Sequence, residues 1–274
     1  MSDLSHDSGL RDLSAAVGFN LIFDPVALTM HSGDGFTFAR TTRQAGALRN
    51  VLRAPEALSP ETPLYHIFYL DNAPPAARDL LAAHRLTYSP VLLPPHVIGG
   101  EFVKTSGHYH PSMPGSALSY PEVYTGLLGE LYLFLQRRDP AQPGAPLDCV
   151  LARLVPGVTI TIPPDYAHVL INPTGEMALM AGLYGTEFKP DYGEVEQHHG
   201  LAYYILQGEG GQIEIERNPH YTAAPPLNWL ETVTGTIFTP PDNPAIPLWR
   251  SFVAAPERYA FLTRPEAAAA RFEA

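Results

Sequence analysis

The stretch GVTITIPPDYAHVLIN, Gly157 to Asn172, reads as two short strands, VTITI and HVLI, separated by a Pro-Pro-Asp turn. Threonine, valine and isoleucine are stiff at χ1 and suit a pleated, half-buried surface, whereas paired prolines cannot continue a hydrogen-bonded ladder. The same pattern spreads outward. From Val91 to about Ile215 the chain offers VLL, GEFVK, LYLFLQ, CVLARLV, MALMAGLY, AYYIL and QIEIE, separated by Pro and Gly turns. Many short strands with turn signals between them predict an all-β sandwich or barrel with a few peripheral helices.

Composition supports that reading. Proline numbers 29 and glycine 22 in 274 residues, and proline at about twice its ordinary ~5% share breaks long helices. A hydrophobic fraction of 45% suffices for one large domain or two small ones. The formal net charge of -11 provides no basic footprint for nucleic acid. With Cys149 as its single cysteine the chain has neither an internal disulfide framework nor a Cys-rich zinc site, and it fits a reducing compartment. No basic region followed by an apolar run opens the sequence, and no stretch approaches a spanning helix. The expectation is a cytoplasmic protein with no membrane partner.

Around the central strands lie two flanks, giving segments 1–86, 87–217 and 218–274 within one compact domain. In the first, Phe19 to Phe23 and Phe36 to Thr41 suit strands, Gln44 to Arg53 a short helix, Tyr65 to Leu70 a strand and Pro75 to Leu86 a helix. In the last, Trp229, Leu230, Phe238, Trp249 and Phe252 make an extended arm too apolar to be freely solvated, ending in a helix over RPEAAAARFEA.

The chemistry concentrates in few residues. His6, His31, His84, His96 and His220 stand isolated and read as structural. His198 and His199, adjacent on a strand, would face opposite ways. His108 and His110, in GEFVKTSGHYHPS, are one residue apart on a predicted strand, so both imidazoles share a face. Glu122 opens the next strand, PEVYTGLLG, with Tyr124 on the same face, and His168 lies in the quoted stretch. Any one of these could be a satisfied core residue. Together, three imidazoles and a carboxylate make a ligand set for one divalent ion, Fe(II), Mn, Ni or Zn, with coordination positions left for water or substrate.

Gly157, Pro163, Asp165, His168 and Asn172 resemble the second cupin motif, with Asp165 where glycine is usual. His108, Tyr109, His110, Glu122 and Gly129 resemble the first, with PSMPGSALSYP inserted between His110 and Glu122 and Phe102 in place of a glycine. Within the cupins, GEFVKTSGHYH, EVYTGLLG, PPDYAH and TEFKPDYG are similar, in order, to the archaeal-type, metal-dependent phosphoglucose isomerases, from about residue 40 to 220. That resemblance implies a cupin double-stranded β-helix, a homodimer and a glycolytic and gluconeogenic isomerase interconverting glucose 6-phosphate and fructose 6-phosphate with bound Fe(II), or Mn, Ni or Zn in its place. It implies metal ligands His108, His110, Glu122 and His168; catalytic roles for Glu122, Tyr124 and His168; and substrate contacts from Tyr65, Thr105, Gly107, Tyr184 and Tyr192. Two departures concern substrate. Pro190 replaces a histidine that assists the substrate, with Lys189 beside it, and Val91 replaces a phosphate-binding threonine, with Ser89 and Thr87 nearby. Lys104, turned inward, would add positive charge for a phosphate. Two other readings stand beside the isomerase: a non-catalytic sugar-phosphate-binding cupin, and an Fe(II) cupin dioxygenase.

Overall fold

Apolar residues alternate along Glu122–Leu128 so that Val123 and Leu127 enter one buried cluster while Tyr124 enters another. A strand buried on both faces must lie inside the molecule. In the computed structural model, which describes residues 9–231, 233–241, 243 and 245–273, this strand sits in a six-stranded antiparallel sheet. The spatial order is Thr159–Ile162, Glu122–Leu128, Ala178–Gly185, Leu86–Leu93, Pro63–Asn72 and Thr37–Gln44. A second sheet runs Tyr166–Ile171, Leu131–Arg137, Asp148–Leu154 and Asn228–Leu230, the last strand parallel to its neighbour. Leu133, Leu135, Leu151 and Leu170 of the second sheet share one core with Ile160, Ile162 and Met180 of the first. The fold is therefore all-β and sandwich-like, with open sheets and a few short helices at its periphery.

The outer face of the large sheet carries the second core. Phe23, Phe68, Tyr88 and Leu183 meet there with Leu248, Trp249, Phe252 and Leu262 from the C-terminal arm. The arm thus packs on its own chain: the Trp249 ring lies 5.4 Å from Phe36 and 5.8 Å from both Phe19 and Tyr88. Phe238 accepts a hydrogen bond from the Thr161 backbone, which covers the edge of the large sheet.

Element boundaries shift in places. The strand expected to end at Thr41 continues to Gln44, and the helix expected over Gln44 to Arg53 shrinks to Ala45–Leu48. Gly46 packs tightly on Pro60, and glycine followed soon by Asn50 gives a poor helix interior. The first expected strand shortens to Ile22–Asp24. The helix expected over Pro75 to Leu86 ends at His84, because Leu86 opens the strand Leu86–Leu93, and the C-terminal helix forms over Pro265–Phe272; each has proline in the first turn, where a missing N–H costs nothing. His198 and His199 are not on a strand but follow the helix Gly193–Gln197; they still diverge, toward Tyr221 and His220 respectively. His6 lies outside the described residues. No helix among the described residues is long and apolar enough to cross a membrane.

Candidate metal centre and substrate cavity

His108, His110, Glu122 and His168 converge, their ligand atoms lying within 4.8 Å of one another. The backbone explains the convergence. His108 forms a single bridge with His168, whose N–H donates to the His108 carbonyl at 3.2 Å. Tyr109 exchanges backbone hydrogen bonds with Asp191 on the other side, at 2.9 and 2.8 Å. The segment expected to be a regular strand is thus a run of isolated bridges, because PSMPGSALSYP pulls the chain away after His110. Extended backbone is kept, so His108 and His110 still share a face. The insertion is itself ordered, with Met113 and Tyr120 buried in the second core. Asp165, standing where a glycine is usual, takes the left-handed conformation a glycine would favour, with φ +67°.

The donors suit a cation. Nε2 of His108 and Nε2 of His110 are 3.2 Å apart, and one Glu122 oxygen lies 3.4 Å from His168 Nε2 and 3.6 Å from His110 Nε2. His110 Nδ1 donates to the Tyr120 carbonyl at 2.8 Å, which assigns the proton to that nitrogen and leaves the Nε2 lone pair facing its neighbours. Both ring nitrogens of His168 are buried without a hydrogen-bond partner among the described residues. Burial holds all three imidazoles toward the neutral form: His110 and His168 are lowered to about 4, and His108 also lies well below its ordinary value. Burial also raises Glu122 to about 7, opposed by His110 and by a hydrogen bond from Tyr124. Neutral imidazoles are ligands, and a carboxyl costly to ionise alone is stabilised as the anion by a divalent charge. The residues present therefore fit a metal ion.

Above these four side chains opens a cavity of about 140 Å³. Tyr65, Thr105, Gly107, Tyr184 and Tyr192, the substrate contacts that the resemblance implies, all line it, and so does Tyr124. Ser89 lines it too and accepts a 3.0 Å hydrogen bond from the Tyr184 hydroxyl. The Thr105 hydroxyl oxygen accepts from Leu170 N–H at 3.0 Å, which leaves its own proton free to donate. Gly107 has φ +73°, and a Cβ there would come within 2.4 Å of Val169. Only glycine brings the backbone this close.

Neither Lys104 nor Lys189 lines the cavity. Lys104 turns away and pairs with Glu101 beneath Tyr204, since a buried ammonium needs a counter-charge. Lys189 is exposed and does not line the cavity, whereas its neighbours Phe188 and Pro190 do. The cation in the wall is Arg43, which the sequence reading passed over. Its Nε is buried without a hydrogen-bond partner among the described residues, and it stands opposite Tyr65 in the strand pair. The signal was there: extending the alternation of FTFARTTRQ by three residues beyond Thr41 carries the strand past Arg43. Gly182 and Phe188 were also missed as site residues. A Cβ on Gly182 would come within 2.8 Å of Glu122 Oε1 and 2.9 Å of the Tyr124 ring. Phe188 stacks on Tyr120 and covers His110, with ring centroids 4.6 and 4.3 Å apart.

The chain is 28% identical over 137 residues to a glucose-6-phosphate isomerase of Thermococcus gammatolerans, covering 50% of this chain and 65% of that protein. It is 27% identical over 136 residues to one from Pyrococcus abyssi, with the same coverage. The matched part thus spans just under two thirds of the length of these relatives. Among solved structures, an oxalate oxidase aligns at TM-score 0.31 and 17% identity, over 43% of this chain and 49% of that one. The cupin domain of Drosophila melanogaster CENP-C aligns at TM-score 0.28 and 13% identity, over 43% and 67%. Residues 42–223, which contain all four clustered ligands and the cavity tyrosines, match the sequence model of the glucose-6-phosphate isomerase (GPI) family, and the chain belongs to that family.

Proposed function

We propose that the chain is a metal-dependent isomerase that interconverts glucose 6-phosphate and fructose 6-phosphate. One observation carries the reading most: a complete cluster of metal-binding side chains forms the floor of a cavity whose wall combines hydroxyl groups with the guanidinium of Arg43. A sugar phosphate needs hydroxyl partners along its carbons and a cation for its dianion, and a protein of net charge -11 must provide that cation locally.

His108, His110, Glu122 and His168 would hold one divalent ion, Fe(II) before Mn, Ni or Zn. When bound, such an ion polarises a carbonyl and lowers the pKa of a hydroxyl. The chain's own residues do the rest. Arg43, the Thr105 hydroxyl and the backbone beside Gly107 take the phosphate, which fixes which end of the substrate reaches the floor. Tyr65, Tyr184 and Tyr192 order the intervening hydroxyls. Glu122 is the base that carries a proton between C1 and C2, held in place by Tyr124. Phe188 keeps water from one side of the site. A homodimer in the cytoplasm accompanies this reading.

A second reading, a sugar-phosphate-binding protein without turnover, is favoured by Pro190. It lines the cavity and can neither donate a hydrogen bond nor move a proton. A coupled assay of fructose 6-phosphate conversion with added Fe(II), Mn(II) or Ni(II) decides. Turnover is expected with at least one ion and none with chelator. Calorimetric binding of the sugar phosphate by folded, metal-loaded protein that stays silent in the assay would establish the second reading instead.

A further inference from the structure

Behind the metal-ligand segment one polar side chain sits among apolar neighbours. Gln136, near the end of the strand Leu131–Arg137, is fully buried, and the residues before it are Leu133, Phe134 and Leu135, all buried too. A carboxamide in such a place costs free energy unless its N–H groups and its oxygen are met. Gln136 Oε1 accepts from the Ala202 N–H at 2.7 Å, which turns the amide so that Nε2 donates to two hydroxyls, of Tyr221 at 3.0 Å and of Tyr109 at 3.2 Å. The Tyr221 hydroxyl donates in turn to the Gly200 carbonyl at 3.0 Å. Every group of the amide therefore has a partner, and one of those partners is the residue between His108 and His110.

Alternation along extended backbone sends the Tyr109 side chain away from the two imidazoles. Its ring is fully buried, lies under the Arg138 guanidinium at 3.8 Å and does not line the cavity. The backbone here is fixed by isolated bridges, to His168 and Asp191, rather than by a continuous ladder. With so few backbone bonds, the rotation of the segment about its own axis depends on what the Tyr109 side chain meets. Any change in that rotation carries both imidazoles with it, because they project from the same short stretch. The strand of Gln136 also reaches the third imidazole, since Leu135 stands in register with His168. We propose, on the reading of these histidines as metal ligands, that Gln136 is a positioning residue for the metal centre, acting through the Tyr109 hydroxyl on His108 and His110.

Titration of the full chain with Co(II), followed by the visible d–d bands of the bound ion and by competition with a chelator, tests the proposal. Tyr109→Phe removes one oxygen atom and keeps the ring beneath Arg138. It weakens Co(II) binding about 10-fold, the scale on which metal sites respond to loss of a supporting hydrogen bond, and it alters the bands while far-UV circular dichroism stays native. Gln136→Met, of similar length but without donors, weakens binding at least as much. The double variant binds no more weakly than Gln136→Met alone, because both changes break the same link. A side chain that only supports the fold would move neither the bands nor this coupling. If Gln136→Met does not fold, the affinity and bands of Tyr109→Phe decide alone. The proposal is overturned if Tyr109→Phe keeps either the wild-type affinity or the wild-type bands, or if the losses of the two single variants multiply in the double. A wild-type chain that binds no Co(II) removes the metal-centre reading and this proposal with it, whereas a wild type and a Tyr109→Phe variant that bind equally well remove this proposal alone.

Discussion

Arg43 and the buried ligands set the residue-scale behaviour of the site. A guanidinium replaced by an apolar side chain of similar reach loses its charge-assisted contacts to a dianion while the metal centre stays intact. Arg43→Leu is therefore expected to raise KM for the sugar phosphate by about 30-fold or more, equivalent to ~2 kcal/mol, with kcat changed far less, and Arg43→Lys to recover part of the loss. Steady-state kinetics across a substrate series checks the split. The ligands predict a pH response of the metal-free chain. His110 and His168 fall from 6.5 to about 4 on folding, and His108 moves the same way. Between those values the unfolded chain holds more protons, so stability declines as pH falls from 6.5 toward 4. Glu122 opposes this, because its rise from 4.5 to about 7 makes the folded chain hold one proton more in that interval. Three imidazoles against one carboxyl leave a net loss on acidification, of order 1–3 kcal/mol per pH unit at its steepest. Urea unfolding of chelator-treated protein from pH 4 to 8 measures it. The convergence of His108, His110, Glu122 and His168 was legible because period-two spacing and motif order announced it. Arg43 was not, because its meaning depends on a strand end three residues away from where the sequence signal fades.

At the scale of elements, the site exists because two neighbouring strands cooperate. Tyr184 of Ala178–Gly185 pairs in register with Glu122, and Gly182 with Tyr124, so the inward residues of both strands meet at the metal floor. Gly182 is small because the Glu122 carboxylate and the Tyr124 ring occupy the space beside it. Gly182→Ala is expected to push Glu122 off its position and cut metal affinity about 10-fold, while far-UV circular dichroism stays native. Unchanged affinity in a competitive chelator titration would refute this. The sequence identified nearly every strand here, since buried strands are apolar runs between prolines and glycines. It did not show that His108 and His110 sit on isolated bridges rather than a full strand. Distant hydrogen-bond partners, His168 for His108 and Asp191 for Tyr109, decide that.

For the whole molecule, the C-terminal arm is part of the architecture. Trp249 and Phe252 complete an aromatic cluster with Phe19, Phe36 and Tyr88 behind the large sheet, on the face opposite the metal site. Removing an indole from such a cluster loses its buried area and leaves a cavity, so Trp249→Ala is expected to cost about 3–5 kcal/mol in urea unfolding. Metal affinity of the remaining folded protein should be little altered. The amount of apolar surface in the arm was readable from its sequence, but not its docking place, because an irregular segment rich in proline has no periodicity to say which face it covers.

The central claim is that four side chains hold one divalent ion. Elemental analysis of the purified chain, dialysed and then reconstituted with Fe(II) or Mn(II), tests it most directly. About one ion per chain is expected, falling below a tenth in His168→Ala and in Glu122→Ala while both variants stay folded. A wild-type chain that retains no ion, or variants that retain as much as the wild type, would contradict it.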